Sequence, residues 1–112
     1  MVLLLFATFG PLAAQEKIYE GTVPGLVPPK PVKRVAAAYD KSVKSEHIKG
    51  KVKVRVVVTK EGKPVQEKVT ESLHPKLDAA ALLAAKQWLF EPARLDGKPV
   101  PYRITLEFMF TP

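Results

Sequence analysis

The sequence predicts a small α+β domain, in which a three-stranded antiparallel sheet carries one main helix on one face. Three stretches support this fold class. Residues 77–90 repeat apolar side chains at helical spacing, whereas residues 51–59 and 102–110 alternate apolar and polar side chains as half-buried strands do. The chain has 112 residues and is 46% hydrophobic, which allows one domain with a single small core.

The main helix is predicted from apolar residues at i, i+4, i+7 and i+11, which share one helical face: Leu77, Ala81, Ala84 and Trp88. Pro75 and Asp78 suit its first turn, because proline loses no hydrogen bond there and a negative charge complements the helix dipole. Pro92 prevents continuation. The inner alanines allow a close approach to a sheet, and Trp88 supplies one large anchor.

The sheet is predicted to begin with a β-hairpin. Valines alternate with basic residues in residues 51–59, and Gly62 can adopt a positive φ in the turn that follows. Residues 65–73 return as the second strand. Because Glu67 and Glu71 share the parity of its apolar residues, we expect a bulge or an edge position there.

A turn-rich connection at residues 95–101 leads to the last strand, residues 102–110. This strand is expected to bury Ile104, Leu106, Phe108 and Phe110 and to expose Arg103, Thr105, Glu107 and Met109. Placing it beside the first strand, in spatial order 2-1-3, makes every neighbouring pair antiparallel and gives the helix a right-handed crossover.

The amino-terminal third is predicted to lie outside this domain. Residues 1–14 are apolar and end in small residues, which indicates a secretory signal peptide cleaved after Ala14 or the remnant of a longer membrane anchor. As a helix they would reach only ~21 Å of the ~30 Å that a bilayer core requires. Residues 15–34 are predicted as a Pro-rich linker and residues 35–112 as the folded domain, with a short helix at residues 36–43.

The residue types offer no catalytic, cofactor-binding or metal-binding constellation. Cysteine is absent, and His47 and His74 lack the spacing of metal ligands, so both are expected at surface or capping positions. No nucleophile is placed beside a base, and no glycine-rich phosphate loop occurs. We therefore expect a non-enzymatic protein without cofactor or metal.

Positive charge is concentrated in residues 30–63, which contain eleven Lys or Arg and three Asp or Glu. Such a face suits an anionic envelope polymer, anionic lipid or an acidic partner, although a solvated strand face explains the same charge. Nucleic acid is not an expected partner, because an exported protein rarely meets it and no aromatic residues are interleaved with the lysines.

The two edge strands of the predicted sheet differ in their protection. The second strand starts at Pro64 and is rich in charge, which discourages stray pairing. The last strand contains no proline, so an extended peptide could add to it through main-chain hydrogen bonds. The same edge could instead pair with a second copy in a homodimer or be covered by residues 15–34. The candidate partner-binding residues are Tyr102, Arg103, Ile104, Thr105, Leu106, Glu107, Phe108, Met109 and Phe110.

These features, in this order, resemble the C-terminal domain of the TonB family of energy transducers over roughly residues 32–110. The matching residues are Gly50 and the alternating valines after it for the family's G-x-V-x-V strand, Glu61-Gly62 for its hairpin turn, Leu77-Asp78 with Ala80-Ala81-Leu82 for its helix start, and Trp88, Phe90 and Pro92-Ala93 for its W-x-F-x-P-A signature.

The resemblance implies an α-β-β-α-β fold and a periplasmic domain whose last strand, here residues 102–110, pairs with a short extended segment of an outer-membrane receptor. It also implies transmission of motion from a proton-driven inner-membrane motor complex, provided that an anchor exists. Two alternatives stay open. One is a stand-alone secreted adaptor or regulator of the same fold that transmits no force, and the other is a binder of anionic envelope polymer through residues 30–63.

Overall fold

The computed structural model describes residues 16–112, so the predicted export signal or anchor remnant at residues 1–14 lies outside the described part. The described elements, in chain order, are β1 (Leu26–Val27), β2 (Lys30–Lys33), a 3-10 helix (Lys41–Glu46), β3 (Gly50–Val58), β4 (Pro64–Glu71), α1 (Pro75–Ala85), β5 (Leu89–Glu91), β6 (Ala93–Leu95), β7 (Lys98–Val100) and β8 (Tyr102–Phe110). One main helix with antiparallel sheets confirms the predicted α+β class.

The main sheet has the order β4-β3-β8, with both pairs antiparallel, which confirms the predicted order 2-1-3. β3 is the central strand because its valines alternate regularly and supply one fully apolar face. β8 pairs with β3 over its whole length, from Phe110 opposite Gly50 to Tyr102 opposite Val58. The valines on the helix-covered face are fully buried: Val52, Val54, Val56 and Val58.

β4 is an irregular edge strand, as the parity of its glutamates predicted. Its register with β3 shifts twice, between Lys53 and Val54 and between Arg55 and Val57. Gln66 has a φ of 54°, a left-handed conformation typical of a bulge. The shifts leave Glu71 exposed instead of forcing its carboxylate into the core.

Helix α1 presents the predicted inner face, since Leu77, Ala81 and Ala84 are all buried. His74 caps its start, and its Nδ1 accepts a hydrogen bond from the Lys76 amide at 3.1 Å. The capping position expected for His74 is therefore confirmed.

The predicted extent of the helix, residues 77–90, was wrong at its carboxyl end, because α1 stops at Ala85. The amides of Gln87 and Trp88 bond to carbonyls three residues earlier, those of Ala84 and Ala85, so the chain tightens and leaves the helix. Trp88 thus lies beyond the helix, and its helical phase with Leu77 is coincidental.

The helix expected at residues 36–43 was also wrong. A 3-10 helix occurs later, at Lys41–Glu46, and the alanines before it are not helical. Asp40 explains the shift, because it caps this turn and its Oδ1 accepts from the Ser42 amide at 2.9 Å and the Ser42 hydroxyl at 2.7 Å. These bonds hold the pKa of Asp40 below its ordinary value.

Two small sheets lie beside the main one. β2 pairs with β5, while β1 pairs with β6 and β6 with β7. The β6–β7 turn consists of Asp96 and Gly97, both with positive φ (51° and 86°), as two-residue hairpin turns require. The turn-rich connection predicted at residues 95–101 is therefore part of a hairpin.

The described part of the predicted linker, residues 16–34, is extended, as its prolines indicate. It is also paired with the domain: Leu26 lies opposite Leu95 and Pro31 opposite Phe90. Tyr19 forms an isolated parallel bridge with Tyr102. Whether these residues also act as a spacer stays a prediction.

Candidate strand-binding edge

The candidate site is the side of β8 that does not face β3. The amide of Arg103 donates to the carbonyl of Tyr19 at 2.7 Å, so this amide points away from β3. Because backbone groups alternate sides along a regular strand, the N–H and C=O groups of Thr105, Glu107 and Met109 point the same way. In residues 16–112, no other strand pairs with this side of β8 beyond the Tyr19 bridge.

The structure separates the nine candidate residues into two sets. Residues at even positions direct their backbone to β3 and their side chains to the core: Tyr102, Ile104, Leu106, Phe108 and Phe110. Residues at odd positions direct their backbone to the outer edge: Arg103, Thr105, Glu107 and Met109. Only the second set can form main-chain hydrogen bonds with an added strand.

The start of this edge is already occupied by residues 16–21, which we call the amino-terminal clip. The Tyr19 amide donates to the Pro101 carbonyl at 3.1 Å, which completes the bridge with Arg103. The Glu20 carboxylate lies 3.2 Å from the Arg103 guanidinium, and the Tyr102 hydroxyl donates to the Gly21 carbonyl at 2.5 Å. Coverage of the edge by residues 15–34, one of the alternatives that the sequence left open, is therefore present at this end.

A groove of about 280 Å³ lies beside the far end of the edge, at residues 107–109. It is lined by Arg34, Val35, Ala36 and Ala37 on one side and by Trp88, Glu107, Phe108 and Met109 on the other. Trp88 and Phe108 meet edge to face with ring centroids 5.9 Å apart. The Trp88 Nε1–H donates to the Val35 carbonyl at 2.9 Å, which joins the two sides of the groove.

The other signature residues fix the elements around the main sheet. Phe90 is buried, and its amide donates to the Gly62 carbonyl at 2.8 Å, which joins β5 to the β3–β4 turn. Asp78 accepts a hydrogen bond from the Leu73 amide at 2.9 Å, which fixes the start of α1 against the end of β4. Gly50 has a φ of 149°, and a Cβ there would lie 2.9 Å from Leu73 Cδ1. Pro92 separates β5 from β6.

Comparison with known proteins identifies the family to which these features belong. Residues 35–112 match the family described as Gram-negative bacterial TonB protein C-terminal. The chain belongs to the TonB C-terminal family. The match covers β3, β4, α1 and β8, and thus the whole main sheet, together with all residues that line the groove except Arg34.

Individual relatives support this assignment. Protein TonB of Vibrio cholerae is 32% identical over 78 residues, which cover 69% of this chain and 32% of the relative. The chain therefore spans about a third of that protein's length. The solution structure of the Pseudomonas aeruginosa TonB C-terminal domain is 27% identical, covers 83% of this chain and 92% of its own, and superposes with a TM-score of 0.62.

The solution structure of the Helicobacter pylori TonB C-terminal domain is similar in fold alone, with 18% identity, a TM-score of 0.50 and coverage of 68% of this chain and 69% of its own. The sequence-based assignment to the TonB family is confirmed.

The basic charge of residues 30–63 is partly neutralised within this TonB-like sheet. On the face away from α1, Glu107 lies 3.7 Å from Lys51 Nζ and 4.0 Å from Lys53 Nζ. Lys53 also lies 3.6 Å from Glu71 on β4. The acidic residues of the flanking strands therefore reduce the charge that the lysines of β3 present to a large anion.

The opposite edge of the sheet is unsuited to strand addition. β4 begins with Pro64, contains two register shifts and bends at Gln66, so its outer groups do not form a regular row.

Among residues 16–112, no group of three or more His, Cys, Asp or Glu side chains could hold a metal ion. None of the helices in these residues has the length and apolar character to cross a membrane.

Proposed function

We propose that this TonB C-terminal domain binds an extended segment of an outer-membrane receptor by strand addition to β8. The observation that carries the proposal is the row of outward N–H and C=O groups at Thr105, Glu107 and Met109. Unpaired groups at the edge of a regular, proline-free strand are a template for another chain.

The groove beside the edge supports the proposal because it can receive side chains of the added strand. Alternate residues of a strand point to opposite faces, so every second guest residue would face the Trp88 and Phe108 rings. The others would lie beside Thr105 and Glu107 on the solvated face. Main-chain bonds would supply affinity, and the groove would select for apolar residues at alternate positions.

The length of the open edge limits the expected affinity. From Thr105 to Met109 the strand rises roughly 13 Å, and three outward residues offer about six main-chain hydrogen bonds. At a net ~0.5–1.5 kcal/mol each, these bonds supply ~3–9 kcal/mol, which offsets only part of the ~4–15 kcal/mol cost of association. We therefore expect a reversible complex of modest affinity, to which contacts in the groove contribute a substantial share.

Glu107→Pro tests the proposal because proline removes one outward N–H and directs its ring to the place of the guest. Glu107→Ala is the matched control, since it removes the same carboxylate and ion pairs but retains the N–H. Synthetic peptides covering the periplasm-facing segments of outer-membrane receptors from the same bacterium would be titrated by calorimetry. We expect Glu107→Pro to weaken binding about tenfold or more and Glu107→Ala about twofold or less. Equal affinities for the two variants would refute strand addition at β8.

The role of the whole protein is part of the same proposal. By analogy with the TonB proteins that the chain matches, it would act in the periplasm and transmit motion from a proton-driven inner-membrane motor complex to the receptor. Force transmission requires a fixed end, so the true amino terminus of the protein in cells decides between a transducer and a stand-alone secreted adaptor. Amino-terminal sequencing together with membrane fractionation would measure it, and a soluble protein beginning near Gln15 would exclude force transmission.

Pairing of β8 with a second copy of this chain competes with receptor binding for the same edge. Sedimentation at increasing concentration would detect such a homodimer, and Glu107→Pro would reduce it as well. Binding of an anionic envelope polymer is less well supported, because Lys51 is paired with Glu107 and Lys53 with both Glu107 and Glu71.

A further inference from the structure

We propose that the amino-terminal clip is a built-in stop, which confines a guest strand to residues 105–109 of β8 and so sets the length and register of the segment that is recognised. This inference rests on the proposed strand addition and concerns the same edge. Its starting point is that Tyr19 bonds to the Arg103 amide and the Pro101 carbonyl, two outward groups that a guest extending past Arg103 would need.

Displacing the clip brings a guest no gain in hydrogen bonds. A guest residue that took the place of Tyr19, in the same parallel direction, would form two backbone bonds, one from Arg103 N–H and one to the Pro101 carbonyl. It would first have to break the same two bonds with Tyr19, at 2.7 and 3.1 Å. Because the exchanged bonds are of one kind, their net contribution is close to zero.

Side-chain contacts then favour the clip over the guest. Glu20 lies 3.2 Å from the Arg103 guanidinium, and Glu16 lies 2.9 Å from Lys60 Nζ beyond the end of β3. The Tyr102 hydroxyl donates to the Gly21 carbonyl. Displacement of the clip by a guest would break all three contacts between the clip and the domain. The exchange is therefore unfavourable unless the guest forms contacts that replace them.

The clip also ends where the open edge begins. Gly21 has a φ of 68°, which turns the chain away from β8 directly after the bridge. No strand pairing continues from Tyr19 along β8, and residues 26–27 instead pair with β6. The clip therefore blocks one end of the edge and leaves residues 105–109 available.

A tethered-guest experiment tests the stop. The chain has no cysteine, and Met109 is 67% exposed, so Met109→Cys provides one attachment point at the far end of the edge. The probes are peptides of alternating threonine and valine with one terminal cysteine, made in two lengths that reach Thr105 or extend past Arg103. The cysteine is placed at either end, so that both strand directions are sampled. The equilibrium constant of thiol–disulfide exchange with a small disulfide measures how strongly each tethered peptide is retained. Amide hydrogen exchange reports which backbone groups of the domain are paired.

Tyr19→Pro opens the clip, because it removes the N–H that donates to Pro101. Ile18→Pro is the control, since it introduces the same ring one residue earlier, where the N–H points away from β8. With the wild-type clip and with Ile18→Pro, the long and short peptides should be held equally to within about twofold. With Tyr19→Pro, the long peptide should be held about tenfold more strongly, the equivalent of two backbone bonds.

The outcomes are distinguishable. A long peptide that protects Thr105 and Glu107 and also exposes the Tyr19 amide to exchange in the wild-type clip overturns the stop alone. A peptide series that never protects Thr105 or Glu107 overturns strand addition itself, and the stop with it. Equal retention of long and short peptides in Tyr19→Pro also refutes the stop, because the clip would then not limit the guest.

Discussion

Replacing Gly62 by alanine tests the contact that joins the β3–β4 turn to β5. Gly62 has a φ of 85°, and a Cβ built there would lie 1.9 Å from the carbonyl oxygen of Phe90. Both sides of this contact are backbone, so no side-chain rotation relieves it. The variant must move the turn away from β5, which stretches the 2.8 Å hydrogen bond from the Phe90 amide to the Gly62 carbonyl.

The expected loss of stability has two parts. The left-handed conformation costs an alanine ~1–2 kcal/mol relative to glycine. Losing the hydrogen bond and leaving the Phe90 amide unpaired, in a residue that is only 4% exposed, adds ~1–3 kcal/mol. The free energy of unfolding should therefore fall by ~2–5 kcal/mol, a large share of the ~5–15 kcal/mol of an ordinary domain.

Gly97 provides a matched control elsewhere in the fold. Its φ of 86° imposes the same backbone strain, but a Cβ there would have nothing within 4 Å. Gly97→Ala should consequently lose only the first part, ~1–2 kcal/mol. The difference between the two variants isolates the contact with Phe90, which a single substitution cannot do.

Urea unfolding monitored by tryptophan fluorescence and by circular dichroism measures both variants. The chain contains a single tryptophan, Trp88, which lies two residues before Phe90, so its fluorescence reports on the region that the turn supports. Gly62→Ala should lower the unfolding midpoint clearly more than Gly97→Ala. Equal midpoints for the two variants would show that the turn relaxes freely, and the argument from a rigid backbone contact would be wrong.

Three further substitutions probe other parts of the fold. Leu77→Ala removes a fully buried side chain from the inner face of α1 and should lower the free energy of unfolding by ~2–5 kcal/mol in urea titrations. Trp88→Phe retains a ring but loses the hydrogen bond to the Val35 carbonyl, so it should cost ~1–2 kcal/mol and increase amide exchange near residue 35. Asp40→Ala should destabilise at neutral pH. Because hydrogen bonds from Ser42 lower the pKa of Asp40 in the folded state, its contribution is present above its ordinary value of 3.8 and lost as the pH falls through the folded-state pKa. The stability difference from wild type should then vanish in acid, and a difference that persists there would contradict the capping role.

The main sheet could be predicted from the sequence because its strands follow one strong pattern. β8 was expected at residues 102–110 and has these bounds. Apolar side chains recur at every second position of these nine residues, and no helical pattern competes with this strand pattern. The bulge in β4 was predictable because the pattern of this strand contains a conflict. Two glutamates in phase with valines cannot be buried without partners, and the register shifts at Lys53 and Arg55 resolve the conflict.

Local propensity was misleading where tertiary contacts decide the conformation. The alanines of residues 36–38 favour a helix, yet Val35 is held by Trp88 and Asp40 caps the next turn, so the chain between them is not helical. Coverage of the β8 edge by the linker could be named only as one alternative, for a different reason. One bridging residue, Tyr19, leaves no period in the sequence, and only the pairing with β8 identifies it.

The chirality of the chain explains why the number of candidate binding residues on β8 could be reduced from the sequence alone. In a strand of L-residues, the face on which a side chain lies determines the side to which its own N–H and C=O point. Once apolar parity assigns the even residues of β8 to the helix face, and a right-handed crossover sets the side of β8 on which β3 lies, the odd residues can only face outward. Four of the nine candidates follow from topology in this way. The further restriction to Thr105, Glu107 and Met109 depends on Tyr19, so it is the contact least visible in the sequence that sets the limit of the site.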